Sequence, residues 1–529
     1  MSDTSTPNLI SSDHHLAATI GKNTVFGIVA SGVQFATRLI TVPVVLHYLG
    51  LGGYGIWSII MVTAAYMRFG SAGIKSAFQK YVAEATATGD FQTANKLVST
   101  GSITMLLLSL AGLLPVAVFS QKLARMSGVP IEFLFSAGAS IAVLAAIYVV
   151  SNFGAAFEAI VMGGHRIDLI RKYNTVSAVC EAVAIIAALH AGYGLLAMTF
   201  IAGASELIYI LYCYRMSHRV VPQMHVSMTS FTKSAFPELI RFAGSYQLVN
   251  VLELFYAAVV PIVLLKFFGA DAAGIAALAV RLATAALIAQ DALALPILSG
   301  AAMVFASGSM ETVRRFLAKS FKVTFAVTMP PLAFVCVFGT SIIYAWTGQI
   351  DPKFRMAIYM VAVAALLRAL SLLQLILYRA SGRALLDNIR QVLRIVVILI
   401  VAFFGRSLGF EGVLAGLAVA ELVGVIFMFV AMELTFHAFS VRTISRDALR
   451  IAAGAALVIG AGALAAMIPI QWSGGDRMLA TIKLGEIGIG CMFMAWPAVV
   501  ITKVLSGAER RAILDAIMPG RRKFVPVNQ

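Results

Sequence analysis

Apolar residues run along this chain in blocks of about 20, separated by short polar segments, and they neither alternate nor fall on one narrow stripe. Blocks of that length match a helix crossing a bilayer, because only helices and closed barrels satisfy every backbone N–H and C=O in hydrocarbon, and a barrel would need alternating tens. The pattern predicts fourteen spans, at 24–48, 54–74, 97–119, 133–160, 173–190, 193–214, 242–265, 273–298, 321–346, 356–378, 391–405, 411–436, 450–469 and 480–502. The expected fold is all-α and polytopic.

A segment recurs. Val42-Pro43-Val44-Val45-Leu46-His47-Tyr48-Leu49-Gly50, followed by Gly55-Ile56, returns as Val260-Pro261-Ile262-Val263-Leu264-Leu265-Lys266-Phe267-Phe268-Gly269, followed by Gly274-Ile275. Two more pairs keep the spacing. Gly89-Asp90 through Leu97 matches Gly308-Ser309 through Phe316, and Gly194 to Ala197 matches Gly412 to Ala415. An offset spanning six helices places corresponding helices in the same orientation, so the repeats are parallel and related by an axis along the membrane normal. The predicted organisation is a tail at 1–22, a first lobe at 23–214, an inter-lobe loop at 215–241, a second lobe at 242–436, and two further helices with a basic tail at 437–529.

Composition agrees with the lipid reading: 60% of the 529 residues are hydrophobic and 12% charged, with a mean hydropathy of +0.91. The net charge of +16 then acts as an orientation signal. With a cytoplasmic N-terminus, inner segments hold 28 of the 40 basic residues and outer loops 8; Arg38, Arg68, Arg281 and Arg368 remain in or near the membrane. Both termini are therefore expected in the cytoplasm. The first 22 residues lack the pattern of a cleaved signal, and nucleic-acid binding is not implied. Cys180, Cys213, Cys336 and Cys491 lie in apolar runs as packing residues, and no metal or cofactor is expected.

The residues that cost most to bury are the candidate site. Gly27, Ser31, Gln34, Arg38 and Thr41 share one stripe of the first helix. Such a stripe serves either as a small-residue contact with Arg38 in a structural ion pair, or as the lining of a wet cavity; the insertion cost of a mid-bilayer arginine, about 2.5–3.5 kcal/mol, favours the cavity. The seventh helix carries Tyr246, Gln247, Asn250, Glu253 and Tyr256, and the repeat sets Gln34 against Glu253 and Arg38 against Tyr256. Arg281, Arg368, Ser371 and Gln374 add polar positions. Glu181, Glu206, Asp291 and Glu421 either pair with the arginines or bind a coupling ion. Three deep arginines argue for an anionic ligand, since guanidinium forks fit phosphate oxygens. Gly50 to Gly55 meets the spacing of a dinucleotide loop but follows no strand, and no Walker motif is present.

Asn23 to Leu39, Val42-Pro43 to Leu49-Gly50, Gly53-Tyr54-Gly55-Ile56-Trp57 and Gly70 to Gly89-Asp90 resemble the opening of bacterial polysaccharide flippases of the multidrug/oligosaccharidyl-lipid/polysaccharide exporter superfamily. The likeness is clearest over the first 100 residues, and the plan of six, six and two helices extends it. It implies two lobes around a cationic cavity between the first and seventh helices. It also implies movement of an undecaprenyl-pyrophosphate-linked sugar unit across the inner membrane without ATP hydrolysis, with lipid and polysaccharide polymerase or assembly proteins as partners. Two alternatives share the fold: a cation-coupled drug exporter and a peptidoglycan-precursor flippase. A membrane glycosyltransferase, polymerase or ligase would show a long outer loop or a carboxylate cluster, and neither is seen.

Overall fold

The computed structural model describes residues 9–69, 72–232, 236–288, 310–380, 385–436, 441–467 and 476–502, with isolated positions between 290 and 304. Helix α1 (Leu9–Phe69) holds 61 residues, about 92 Å at 1.5 Å per residue, three times the hydrocarbon thickness of a bilayer. It is two crossings joined at one residue: Gly50 has φ 68° and ψ −180°, a conformation open to glycine alone. The same break divides α8 (Phe236–Ala286) at Gly269, with φ 86° and ψ 177°. These are the closing glycines of the repeated segment. Each breaks its helix into two arms with no loop between them.

The remaining helices are α2 (Ala72–Thr88), α3 (Phe91–Val118), α4 (Ser120–Met126), α5 (Ile131–Gly163), α6 (Ile167–His190), α7 (Leu195–Val220), α9 (Met310–Thr347), α10 (Lys353–Ala380), α11 (Leu385–Gly405), α12 (Phe410–Phe436), α13 (Val441–Ala466) and α14 (Asp476–Ile501). No strand occurs among the described residues. Among the described residues eleven helices are long and apolar enough to cross a membrane; two of these, in α1 and α8, contain a glycine bend. The chain is an all-helical, multi-pass membrane protein. Two helices fell outside the expected spans: α2 and the short α4 are too polar or too short to cross, and lie where the sequence pattern predicts connecting segments.

The repeat reappears in the backbone. Glycines with φ between 68° and 89° stand at 50 and 269, at 128 and 348, and at 192 and 409. Gly89 makes a seventh, and its counterpart Gly308 lies outside the described residues. Left-handed turns thus recur at matching helix ends in both copies.

Helix α11 shows which medium surrounds the molecule. Asp387, Arg390, Gln391 and Arg394, spaced three, one and three apart, are all buried, whereas Leu385, Ile389, Val392, Val396, Ile400 and Phe404 are exposed. Its polar face is inward and its apolar face outward, the arrangement a lipid solvent requires.

The chain forms two compact units, Met1–Gly274 and Ile275–Gln529, so that the first arm of α8 belongs to the first unit. In the first unit α5 packs on α3 and α7. One core there joins α2, α3, α5 and α7 through Phe78, Val98, Ile160 and Tyr209. Another joins α1, α5 and α8 through Ile56, Leu144 and Leu265. The segment after α7 is stitched to α3. The Asn95 amide donates to the Gln223 carbonyl (3.0 Å) and accepts from the His225 N–H (2.9 Å), the Ser99 hydroxyl accepts from the Ser227 N–H (3.0 Å), and the Thr100 hydroxyl accepts from the Thr232 N–H (3.0 Å). In the second unit α9, α10, α12 and α13 share a core around Phe321, Leu370 and Met428. The two helices beyond the repeats, α13 and α14, pack on each other and on α9, and Arg477 of α14 caps the end of α9 by donating to the Ala345 carbonyl (3.1 Å).

Candidate functional site

On α1 the expected polar stripe has a local structural cause. The Thr37 hydroxyl donates to the Gln34 carbonyl (2.8 Å) and the Thr41 hydroxyl to the Thr37 carbonyl (2.7 Å), which satisfies both hydroxyls within the helix ahead of Pro43. Gln34 is half-buried and Arg38 exposed. Twelve residues separate Arg38 from the Gly50 bend, about 18 Å along the helix and hence deep in a bilayer. Its charge lies in the electrostatic field of Glu181 on α6.

Glu181 leads into a network that crosses four helices. Ser205 of α7 hydrogen-bonds Glu181, and the Ser205 hydroxyl lies 2.8 Å from that of Ser177. Glu206, the next residue on α7, accepts from the Ser151 hydroxyl of α5 (2.5 Å) and forms an ion pair with Arg68 of α1 (3.5 Å). The Arg68 guanidinium also stands 5.9 Å from the centre of the Tyr209 ring. The structure therefore brings Arg38, Glu181 and Glu206 together, and adds Arg68 and Ser151. Near the end of the same unit, Lys75 of α2 pairs with Glu158 of α5. Sequence spacing carried no sign of the Arg68–Glu206 pair, because 138 residues separate its members; its one legible hint was the apolar surroundings of Arg68.

On the first arm of α8, Tyr256 is buried and Glu253 half-buried. The Ala258 N–H donates to the Tyr66 hydroxyl of α1 (3.1 Å), and Glu253 acts electrostatically on that same tyrosine. Asn250 has its backbone in this arm and its side chain outside the described residues.

In the second unit the candidates separate into two kinds. Arg281, twelve residues past the Gly269 bend and so about 18 Å along its arm, is exposed and makes no ion pair among the described residues. Arg368 on α10 is exposed as well, one helical turn before Ser371, whose hydroxyl donates to the Leu367 carbonyl (3.5 Å). Glu421 is different. It is buried on α12 against fully buried Arg394 of α11, with which it forms an ion pair; Arg394 also donates to Gln391 (2.6 Å), and Arg390 donates to Asp387 (2.9 Å). From the sequence Glu421 suits either ion coupling or pairing, and the structure gives it a buried cationic partner. Gly424 makes the room: a Cβ there would lie 3.0 Å from the Arg394 Cδ. Asp291 and the Gln374 side chain lie outside the described residues. Among the described residues no group of three or more His, Cys, Asp or Glu is arranged to hold a metal ion.

The chemistry on offer is binding and charge compensation. Arginine at membrane depth is stable only beside an anion, water or a carboxylate. Arg68 and Arg394 have carboxylates; Arg281 has none among the described residues.

No family model matches the sequence, and no curated protein sequence matches it. Solved structures do. An inward-facing multidrug resistance MATE family transporter of the MOP superfamily aligns with a TM-score of 0.68 at 14% identity, over 78% of this chain and 98% of that one. The lipid II flippase MurJ, in an inward closed conformation, aligns with a TM-score of 0.66 at 15% identity, over 89% of this chain and 99% of that one. A MOP superfamily transporter from Pyrococcus furiosus, described as having a binding pocket of reversed polarity, aligns with a TM-score of 0.58 at 15% identity, over 78% and 94%. The chain has the fold of transporters of the MOP superfamily.

Proposed function

We infer that this chain is a MOP-superfamily flippase that moves an undecaprenyl-pyrophosphate-linked oligosaccharide across the bacterial inner membrane by alternating access, for surface or exopolysaccharide synthesis. It performs no covalent chemistry. The observation that carries this reading is Arg281: a deep, exposed guanidinium with no carboxylate beside it among the described residues. An arginine left so is matched to an anion that arrives and leaves, and pyrophosphate oxygens fit its fork. Arg38 in the first unit and Arg368 in the second are likewise exposed on membrane-crossing helices, and each offers a guanidinium to an anion. Gln34, Asn250, Glu253, Tyr256 and Gln374 serve as the uncharged and acidic contacts for sugar hydroxyls.

Glu181 and Glu206 are the carboxylates suited to a coupling ion, since they lie within each other's field in the first unit. That feature favours a second reading, a cation-coupled multidrug exporter, and the fold equally accommodates a peptidoglycan-precursor flippase. Both termini are assigned to the cytoplasm on the distribution of basic residues, with a polysaccharide polymerase as the partner on the outer side.

The test is Arg281→Ala beside Arg281→Lys and Arg38→Ala, in cells where surface polysaccharide and protein insertion are both measured. Loss of polymer in the alanine variants at normal protein levels is expected. Normal polymer with Arg281 and Arg38 both removed would exclude the anionic-substrate reading.

A further inference from the structure

The two copies of the repeated segment meet each other, residue against its own counterpart. A Cβ on Gly55 would lie 2.4 Å from the Ala270 carbonyl oxygen and 2.6 Å from the Gly274 nitrogen; a Cβ on Gly274 would lie 2.3 Å from the Leu51 carbonyl oxygen. Leu51 and Ala270 are counterparts at an offset of 219, and so are Gly55 and Gly274. The contact is therefore reciprocal, the pattern of an isologous interface around a twofold axis. Its closest approaches are backbone on backbone, with the Leu51 Cδ1 alongside, 3.0 Å from where a Gly274 Cβ would stand.

One position breaks the symmetry. Gly52 has Asp271 as its counterpart, and a Cβ on Gly52 would lie 3.0 Å from the Asp271 carboxylate. Both arms begin at a glycine bend, so two helix N-termini converge at this seam. Two positive dipole ends repel each other, and a carboxylate beside both offsets that repulsion. The absence of a side chain at Gly52 is what lets Asp271 reach there.

We propose that residues 51–55 and 270–274 form a gate between the two copies of the repeat, closed by the Gly55–Gly274 backbone contact and held by Asp271 over the two helix starts. This builds on the transporter reading: alternating access needs one end of the bundle to part, and a contact whose closest approaches are backbone on backbone can part and re-form as one step. Glycine is required at 55 and 274 for closure, since any Cβ would strike a backbone carbonyl.

Two measurements test the gate without reference to substrate. Cysteines at Gly52 and Ala270 would place their Cβ atoms about 3.2 Å apart, close to the disulfide range. Gly52→Cys/Ala270→Cys, in a background lacking Cys180, Cys213, Cys336 and Cys491, should cross-link spontaneously in membranes. Separately, maleimide labelling of Leu265→Cys, buried beside the seam, should rise about tenfold in Gly55→Ala or Gly274→Ala, as expected for a closed state whose opening has become cheap. Gly112→Ala, with open space around its Cβ, is the control. Failure of the disulfide to form in folded protein, or unchanged labelling in both glycine variants, would overturn the gate. Cross-linked protein should also lose polysaccharide export until reduced, and undiminished export by the cross-linked form would overturn it too. If cross-linking and labelling behave as stated while no lipid-linked glycan is moved in either redox state, the gate stands and the substrate assignment falls.

Discussion

Glu421→Ala gives the sharpest test of how charge is distributed in this molecule. The Arg394 side chain is 0% exposed and that of Glu421 3%, so removing the carboxylate leaves a guanidinium in a dry interior. Breaking such a pair costs about 3–5 kcal/mol, whereas replacing both members with apolar residues of similar volume is close to neutral. At roughly 2–4 °C per kcal/mol for a domain of about 150–250 residues, Glu421→Ala should lower the melting temperature of the purified protein by roughly 6–20 °C. Arg394→Met/Glu421→Leu should recover most of that loss. Glu206→Ala is the contrast, because its partner Arg68 has a side chain 47% exposed and water can take over; about 1 kcal/mol or less is expected. The assay is thermal unfolding in detergent, followed by polysaccharide export in cells. Equal destabilisation by Glu421→Ala and Glu206→Ala would refute the burial argument. A double variant that is stable but inactive would return Glu421 to the ion-coupling role.

Three further outcomes follow from the geometry. Asn95→Ala combined with Ser99→Ala should expose residues 221–232 to protease without displacing α3, since the pair supplies most of the side-chain bonds that hold that segment; unchanged protection would refute the stitching. Asp90 caps α3 by accepting from the Thr93 N–H (3.1 Å), which holds its carboxyl below the usual range. A depressed carboxylate contributes stability above its unfolded value, about 3.9, and loses it as pH falls through the folded one, so the protection of the Thr93 amide relative to its intrinsic exchange rate should fall in acid, and Asp90→Ala should abolish that dependence. For topology, a cysteine at position 125 should react with impermeant reagent from outside and one at position 314 should not; the reverse would invert the assigned orientation.

The elements that were legible in the sequence are those whose cause is local. Gly50 and Gly269 stand out in the sequence as the closing glycines of the repeated segment, although the single-residue bend they make does not, and twenty-residue apolar blocks mark the crossings. The pairing of charges was not local. Arg394 and Glu421 stand on separate helices, and their sequence spacing fixes each to a face without saying which faces meet; Gly424, in ordinary helix, reveals its purpose only once Arg394 lies across it. Arg68 was visible as a cation near the membrane, while Ser151 and Tyr209, which orient the same network, are unremarkable in an apolar run. Helix α2 is too short and too polar to cross a bilayer, and hydropathy does not distinguish a connecting segment from a short helix packed on the bundle.

The central claim is that the cargo is a lipid-linked pyrophosphoryl oligosaccharide. Deleting the chain's coding sequence and analysing lipid-linked glycans by leaflet tests it most directly. An undecaprenyl-pyrophosphate oligosaccharide should accumulate on the inner leaflet and be cleared by the wild-type chain but not by Arg281→Ala. Unchanged glycan lipids in the deletion strain, with increased sensitivity to cationic drugs, would contradict it.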